Sequence, residues 1–296
     1  MHHPLKIHVN CIPCLVGQAL RVASIRDPPL SRADTKALLN CVMEILKDDA
    51  IMDALPAKTG QRVYQAMGDF LQDADIFSAV KSMSNDVTAA LYPRLVEKVQ
   101  ASEDPLKTAV NIAIVGNLID FGTRMDYDLE RAIDELQLSI DHFDDLREDL
   151  QRAKTILYIA DNAGEIFFDK VFVVEILKQF DANIIFSVRE GPILNDATIN
   201  DARLAGIDEI TTIIEGTQSP GPLIDEASAE FKHAYDAADI IIAKGQGNFE
   251  ALSERPRSDN LYFMLKAKCD VIETYFRVPI GASILLHWKQ KIERIC

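Results

Sequence analysis

Asp161 and Asn162 are the side chains of this sequence best placed for metal or acid–base chemistry. They follow the apolar run Thr155–Ala160, and Gly164 and a helical pattern come after them. The segment therefore predicts a buried strand, an acidic turn and a helix. Sites of open α/β sheets lie beyond the carboxyl ends of the strands, which is where these side-chain oxygens would lie. The alternative interpretation is a turn that caps the next helix.

Two more polar clusters follow later apolar runs. One ends with Asn195 and Asp196, and the other runs from Lys244 to Glu250 and contains Gly245 and Gly247. Because the carboxyl ends of parallel strands lie side by side in a sheet, we expect both clusters to converge on the first one.

The three clusters carry complementary chemistry. Asp161, Asn162 and Asp196 offer hard oxygen ligands, which suit Mg²⁺ or Mn²⁺ better than a thiolate zinc site. Lys244 and Gly245 offer a cation and exposed backbone N–H groups at a helix start, which together suit a phosphate. The Lys244 segment is alternatively a flexible turn, although lysine is rarely found directly after a buried strand. The combination predicts metal-assisted chemistry on a phosphorylated small molecule.

A polar pair interrupts an otherwise apolar helix in the N-terminal half. Asn117 and Asp120 are three residues apart and so share one helix face. Either both side chains point into a cleft, or the helix ends here with Gly122 as its cap.

The elements that must position these groups change character near residue 150. Residues 31–150 show one helical pattern after another, including the acidic segment 126–149, which we interpret as a solvated helix face. After residue 151 apolar strands alternate with helices, which predicts a largely parallel sheet covered on both faces. We therefore predict a helical domain over residues 1–150, packed on a three-layer α/β/α Rossmann-like domain over residues 151–296. The predicted strands are 155–160, 183–188, 209–214, 239–243, 261–267 and 271–275.

Three cysteines form a second group of reactive side chains. Cys11 and Cys14 open a helical pattern, and Cys269 is a third thiol from the far end of the chain. The pair is half of a metal site, a redox pair or two buried apolar side chains. We carry a Cys11, Cys14 and Cys269 thiol site as a hypothesis.

Composition restricts the partners and the compartment. The 296 residues carry a formal charge of -15, which argues against broad binding to nucleic acid or anionic membranes. A small anionic substrate remains compatible with this net negative charge, because a bound metal ion outweighs the electric field of the whole protein at its own site. Without an apolar leader or span, the 5 cysteines suggest a reducing cytoplasm. The oligomeric state has no signature in the sequence.

These motifs together resemble the DUF89 family, also called the damage-control phosphatase or ARMT1-like family. The resemblance covers nearly the whole chain and combines four segments with the early Cys-x-x-Cys: Asp161-Asn-Ala-Gly-Glu165, Asn195-Asp196, Lys244-Gly-Gln-Gly-Asn-Phe-Glu250 and Gly116-Asn-x-x-Asp120. Its cysteine pair makes the chain similar to the compact prokaryotic branch, and to archaeal members in particular. The resemblance implies a metal-dependent phosphatase that hydrolyses unwanted sugar or cofactor phosphates.

The resemblance also implies roles for individual residues. Asp161, Asn162 and Asp196 would hold the metal and form the catalytic centre, with Mg²⁺ or Mn²⁺ as the ion and Co²⁺ or Ni²⁺ as alternatives. Asp161 is either a nucleophile or only a ligand. Substrate contacts would come from the remaining positions, namely Asn117, Asp120, Glu165, Asn195, Lys244 and Gly245.

Two other functions are compatible with the predicted fold. An S-adenosylmethionine-dependent carboxyl methyltransferase would use the same kind of sheet, but no Gly-x-Gly-x-Gly loop follows the strand at 155–160. A non-catalytic metabolite-binding protein is the third option. Metal dependence of turnover separates the phosphatase from both.

Overall fold

The structure is a computed structural model and describes residues 5–117, 129–253 and 259–289. Its α-helices, numbered in chain order, are α1 Cys11–Ile25, α2 Arg32–Leu46, α3 Pro56–Leu71, α4 Ser78–Gln100, α5 Pro105–Gly116, α6 Leu129–Asp134, α7 Phe143–Leu150, α8 Glu165–Gln179, α9 Ile199–Leu204, α10 Ala229–Ala237, α11 Gly245–Leu252 and α12 Asp270–Phe276. Short 3₁₀ turns span Asp49–Asp53 and Ile224–Glu226. The strands are β1 Leu138–Asp141, β2 Thr155–Ile159, β3 Asn183–Val188, β4 Thr212–Glu215, β5 Ile240–Lys244, β6 Leu261–Lys266 and β7 Ser283–His287.

Within the described ranges the strands form one 7-stranded sheet in the order β1-β7-β6-β5-β2-β3-β4. Neighbouring strands are parallel except β6 and β7, which are antiparallel. Ile159 of β2 pairs with Ser187 of β3 and with Ala243 of β5. These three central strands therefore end at nearly the same level. The predicted mixed α/β fold with a largely parallel sheet is confirmed.

The apolar strands are explained by burial on both faces of the sheet. Tyr158 and Phe186 face one core, which they share with apolar residues of α5 and α8. Leu157 and Ile159 face the opposite core, which contains residues of α10, α11 and α12. Covering both faces removes the polar alternation that a half-exposed strand would show. Since a buried aliphatic or aromatic side chain contributes about 1.5–3 kcal/mol, these two cores are the main source of stability.

The first three helices pack around a third core. Val22 of α1, Val42 of α2 and Met67 of α3 are buried there, together with Phe77 and Ile193. Ile193 belongs to the loop that follows β3, so this helical cluster rests directly against a loop at the carboxyl edge of the sheet.

Two elements N-terminal to residue 151 belong to the sheet layer. β1 pairs in parallel with β7 at the sheet edge. The side chains of Leu146 and Leu150, on α7, are buried in the core on the α5 side of the sheet. The predicted solvated helix over residues 126–149 is therefore wrong for 138–141, because main-chain pairing with β7 overrides the helical pattern of this acidic segment.

The strand predicted over residues 271–275 is also wrong. This segment lies within α12, which buries Ile272 and Phe276, four residues apart, against the sheet. The β-branched residues Val271 and Ile272 suggested a strand, but their propensity is weak compared with the burial of one helix face.

The longest described helix, α4, has 23 residues and carries polar side chains along its length, among them Lys81, Asn85 and Arg94. None of the described helices combines the length and the apolar character that crossing a membrane requires.

Candidate active site

Two loop segments pair with each other at the carboxyl edge of the sheet. The backbone N–H of Ala163 donates to the carbonyl of Asn195 at 2.9 Å, and the N–H of Ala197 donates to that of Asp161 at 2.8 Å. Asn162 and Asp196 form an isolated antiparallel bridge between these bonds. The structure thus brings Asp161, Asn162 and Asp196 together, although 33 residues separate the last two in the chain, because β2 and β3 are neighbours. Asn195 contributes its carbonyl to this pairing.

Two asparagine amides join Asp161 to Glu165. The Nδ2 groups of Asn117 and Asn162 donate to Asp161 Oδ2, at 2.9 and 2.8 Å, and to Glu165 Oε2, both at 3.0 Å. α5 ends at Gly116 with Asn117 as its C-cap, and the Gly122 cap of the alternative interpretation lies outside the described residues. Asp120, the predicted companion of Asn117, also lies outside the described residues. The helical half of the chain therefore contributes Asn117 to the wall of the site.

Arg189 and Asn248 are site residues that the sequence interpretation missed. The Arg189 Nε group donates to Asp196 Oδ2 at 2.6 Å, and its Nη2 donates to Asn248 Oδ1 at 2.8 Å and lies 3.9 Å from Asp161 Oδ1. Asn248 Nδ2 in turn donates to the carbonyls of Ala160 and Lys244, at 3.0 and 2.7 Å. This pair ties together the ends of β2, β3 and β5. A charged residue directly after a buried strand was the available signal for Arg189, as it was for Lys244.

Lys244 lies at the end of β5 but points into the protein. Its fully buried ammonium donates to the carbonyl of Ala113 at 2.9 Å, to Glu165 Oε1 at 2.7 Å and to Asp169 Oδ1. These three acceptors use all three N–H groups of the ammonium. A phosphate contact, as predicted for Lys244, would require one of these bonds to be exchanged. In this structure Lys244 instead anchors Glu165, and with it the amides of Asn117 and Asn162.

Burial and charge shift the acidities of these carboxyls in opposite directions. Burial, and then the neighbouring charge of Glu165, raise the pKa of Asp161. Burial also raises the pKa of Asp196 to about 7, although Arg189 opposes this shift. Burial alone would raise the pKa of Glu165, but Lys244 and the two amides hold it below its ordinary value. The cations near Asp161 and Asp196 therefore do not fully offset the effect of burial on these two carboxyls.

The donor set fits a hard divalent cation. Two carboxylates share the site with the Asn162 amide, and such oxygens are the ligands that Mg²⁺ and Mn²⁺ prefer. Asn117 Oδ1 is buried and has no hydrogen-bond partner among the described residues, which is costly unless a ligand satisfies it. Within the described ranges, no three His, Cys, Asp or Glu side chains are grouped to hold a metal ion. A metal at this position would thus need an amide oxygen beside the two carboxylates.

Gly245 allows the Asp161 side chain to occupy its position. It is the first residue of α11 and has φ +78. A Cβ atom built on Gly245 would lie 1.9 Å from Asp161 Oδ2. Only a residue without a side chain lets the backbone approach the carboxylate this closely.

A cavity of about 660 Å³ lies beside the loop that leads to Asn195 and Asp196. Its wall includes Ile193 and Leu194 of this loop. The opposite wall comes from α3 and the segment after it, with Tyr64, Asp69, Asp75 and Phe77. A cavity of this size matches the range of small-molecule sites.

The three predicted thiols lie near one another, and Cys269 contacts Gln246 in the first turn of α11. Burial raises the pKa of both Cys11 and Cys14, and the nearby Cys269 and Glu250 add to this effect. The Nε2 of Gln246 donates to Glu250 Oε1 at 2.7 Å and to Cys269 Sγ at 3.5 Å. The thiol site stays a prediction.

The thiol-site hypothesis predicts that Cys11, Cys14 and Cys269 react as one protected group, although the described residues do not place these three side chains in an arrangement that could hold a metal ion. In a Cys41→Ser, Cys296→Ser background, a colorimetric disulfide reagent should react slowly with the protein as purified and faster by about tenfold or more after a chelator, since thiolates bound to metal are shielded. Three independent thiols that react equally fast with and without the chelator would contradict the hypothesis.

The sheet and its edge define the class of protein. An α/β/α fold that gathers polar side chains at the carboxyl ends of its central strands is typical of proteins that bind and act on small molecules at that edge. Comparison with known proteins narrows this class: the damage-control phosphatase ARMT1-like domain matches residues 7–284. The chain belongs to the damage-control phosphatase ARMT1-like family, and the resemblance seen in the sequence is confirmed.

Individual relatives agree with this assignment. A damage-control phosphatase of Pyrococcus horikoshii is 33% identical over 97% of this chain and 100% of its own length. A damage-control phosphatase of Archaeoglobus fulgidus is 33% identical over 95% of this chain and 98% of its own length. The crystal structure of a DUF89 family protein from P. horikoshii superposes with a TM-score of 0.87 and 31% identity, and covers 96% of this chain and 100% of that one.

Proposed function

We propose that this protein is a metal-dependent phosphatase that hydrolyses phosphate monoesters of small metabolites in a house-cleaning role. Membership in the damage-control phosphatase family supports the phosphatase class. The observation that carries the finer proposal is the convergence of Asp161, Asn162 and Asp196 at one edge of the sheet, with Asn117 beside them. This arrangement supplies hard oxygen ligands at a buried edge of the sheet, where Asn117, Glu165 and Arg189 hold them in place.

Asp161, Asn162 and Asp196 would hold the divalent ion. When bound, such an ion neutralises phosphoryl oxygens and lowers the pKa of an attacking water. The protein residues keep its ligands in place: Arg189 orients the Asp196 carboxylate, and Asn117 orients that of Asp161. Such partners of metal ligands fix their orientation and tune their basicity.

Lys244 and Glu165 serve this proposal as positioning residues. Lys244 holds Glu165 in its ionised form, and the Glu165 carboxylate accepts from both amides that also hold Asp161. The organic part of the substrate would occupy the cavity beside Leu194, whose lining includes none of the three metal ligands but comes within two residues of Asp196 along the chain. The cavity is lined by side-chain amides and carboxylates, which suit a leaving group with several hydroxyls.

A panel of small phosphate monoesters, assayed with Mg²⁺, Mn²⁺, Co²⁺ or Ni²⁺ after removal of bound metal, tests the proposal. We expect phosphate release that requires a divalent ion and is abolished by a chelator. Metal-independent release, or none with any ester, would contradict it. In the latter case, calorimetric binding of S-adenosylmethionine would favour the methyltransferase, and metabolite binding without turnover would favour the non-catalytic protein.

A further inference from the structure

One face of α4 buries polar side chains where a packed helix usually carries apolar ones. Four of them, each 6% exposed or less, recur at helical spacing along this face: Lys81, Ser84, Asn85 and Thr88. The hydroxyls of Ser84 and Thr88 are satisfied within the helix, by the carbonyls of Val80 and Ser84 at 2.8 Å. Lys81 and Asn85 contact other elements. Because a buried polar group is costly unless it is hydrogen-bonded, their partners indicate what this face holds in place.

Asn85 contacts both helix starts that follow the proposed metal ligands. Its Oδ1 accepts from the backbone N–H of Gly164 at 2.7 Å, and its Nδ2 donates to Asp201 Oδ1 at 2.8 Å. Gly164 directly precedes α8 and comes two residues after Asn162. Asp201 lies in the first turn of α9, five residues after Asp196. The two contacts fix the orientation of the amide, because a flipped amide would present donor to donor and acceptor to acceptor.

Asp201 carries this contact into the loop that follows β3. Its Oδ2 accepts from the backbone N–H and the hydroxyl of Thr198, at 2.8 and 2.7 Å, and lies 3.0 Å from the Lys81 ammonium. Thr198 forms an isolated bridge with Arg189, the residue after β3. Burial would raise the pKa of Asp201, but hydrogen bonds from Thr198, and then the charge of Lys81, hold it below its ordinary value. The ionised Asp201 therefore fixes the start of α9 against α4.

Gly164 allows α4 to approach the turn after β2 closely. It adopts φ +75, and a Cβ atom built on it would lie 2.9 Å from Ser84 Cβ and 3.1 Å from the Ser84 carbonyl oxygen. The turn therefore rests on the backbone of α4, while Asn85 accepts its N–H. Asn162, whose amide donates to Asp161 Oδ2 at 2.8 Å, precedes Gly164 in the same turn. A shift of the turn would move this amide and the carboxylate together.

We propose that Asn85 is a positioning residue for the metal site: it fixes the turn at Gly164 and thereby the side chain of Asn162. The inference rests on the proposed metal-dependent function. Without the oxygen of Asn85, the buried Gly164 N–H would lose its acceptor, which favours movement of the turn. Residues that orient metal ligands typically change metal affinity or activity by about 10–100-fold when they are replaced.

Mn²⁺ binding by the full-length protein, measured by calorimetry, tests this role in Asn85→Ala, Asn85→Asp and the matched control Asn260→Ala. Asn260 directly precedes β6, at the edge of the sheet opposite the site, and donates to the carbonyl of Ala238 at 2.7 Å. We expect Asn85→Ala to raise the Kd of Mn²⁺ by about tenfold or more. Asn260→Ala should lower the Tm and leave the Kd unchanged, because its lost hydrogen bond lies away from the ligands.

Asn85→Asp separates positioning from stability. The new carboxyl keeps an oxygen for the Gly164 N–H but places a second one against Asp201 Oδ1. The Tm should therefore fall, whereas the Kd for Mn²⁺ should stay within about threefold of the wild-type value, since the turn remains held. If Asn85→Ala does not fold, Asn85→Leu replaces it in the comparison, because leucine fills the same space without either hydrogen bond.

The Kd values decide the role of Asn85. An unchanged Kd in Asn85→Ala would overturn the proposal, and so would an equal rise in Asn260→Ala or in Asn85→Asp, since stability rather than the Gly164 contact would then set the affinity. Calorimetry requires no turnover, so if the wild type binds Mn²⁺ and hydrolyses no ester, the proposed function fails and the same comparison still holds. A wild type that binds no Mn²⁺ would overturn the inference, whichever ion supports hydrolysis.

Discussion

The Asp161→Ala variant should lose more than about a hundredfold of metal-stimulated phosphatase activity. Mutation of a residue that only contacts a metal ligand typically reduces metal affinity or activity by about 10–100-fold. Removal of a direct ligand should therefore reduce activity further. The lost activity should not be restored by excess Mn²⁺, because one of two carboxylates is missing. Steady-state hydrolysis of an aryl phosphate across a Mn²⁺ titration measures this.

The fold of Asp161→Ala should be retained. The amides of Asn117 and Asn162 keep their bonds to Glu165 Oε2 when Asp161 Oδ2 is removed. The variant also loses a buried carboxylate that repels Glu165, which offsets part of the cost of the missing hydrogen bonds. Thermal unfolding followed by circular dichroism checks this point.

Asp239→Ala is the matched control for this variant. Asp239 accepts from the backbone N–H groups of Lys154 and Thr155, at 2.8 and 2.9 Å, at the opposite end of β2. Its loss should reduce stability slightly and leave the activity near that of the wild type. Near-normal turnover by Asp161→Ala, or an equal loss in Asp239→Ala, would refute the site.

A single methyl group at Gly245 should be almost as damaging to activity. In Gly245→Ala the new Cβ would meet Asp161 Oδ2 at 1.9 Å, so the carboxylate must move away from Asn117 and Asn162. We expect about a hundredfold loss of activity and a higher Mn²⁺ requirement, because a displaced ligand no longer matches the preferred geometry of the ion. The left-handed backbone at φ +78 adds about 1–2 kcal/mol of strain for any residue with a Cβ.

Gly17→Ala controls for the loss of a glycine elsewhere. Gly17 lies within α1, and a Cβ built there has no heavy atom within 4 Å. Alanine should stabilise this helix by up to about 1 kcal/mol and leave kinetics unchanged. Wild-type activity and Mn²⁺ requirement in Gly245→Ala would show that the Asp161 carboxylate can move without consequence, against the proposed role of its position.

The sequence alone predicted the class of fold and the position of the candidate site. Near-continuous apolar runs such as Ile240–Ala243 have no exposed face, so a parallel sheet covered on both sides followed from them. Polar residues directly after such runs must lie at the carboxyl edge, and Asp161, Asn162 and Asp196 do meet there. These conclusions depend on local pattern and on one general rule of sheet topology.

The tertiary structure decided which way each polar side chain of that edge points. Lys244 occupies the predicted strand end, yet its ammonium lies between α5 and α8, because Glu165 and Asp169 offer it charges there. No local pattern encodes that choice, since the partners are 75 or more residues away in the chain. The hydrogen bond between Arg189 and Asn248 likewise joins residues that are far apart in the chain, so no local pattern predicts it.

Packing likewise decided the strand order and the secondary structure of segments with weak local propensity. The segment 271–275 carries β-branched residues but folds as α12, and residues 138–141 leave an acidic helical pattern to pair with β7. Local propensities differ by only about 1 kcal/mol or less per residue, whereas burial of one side chain against a sheet contributes more. Local pattern therefore located the oxygen atoms of Asp161, Asn162 and Asp196, and long-range contacts decided that the side chains of Arg189 and Lys244 are buried beside them.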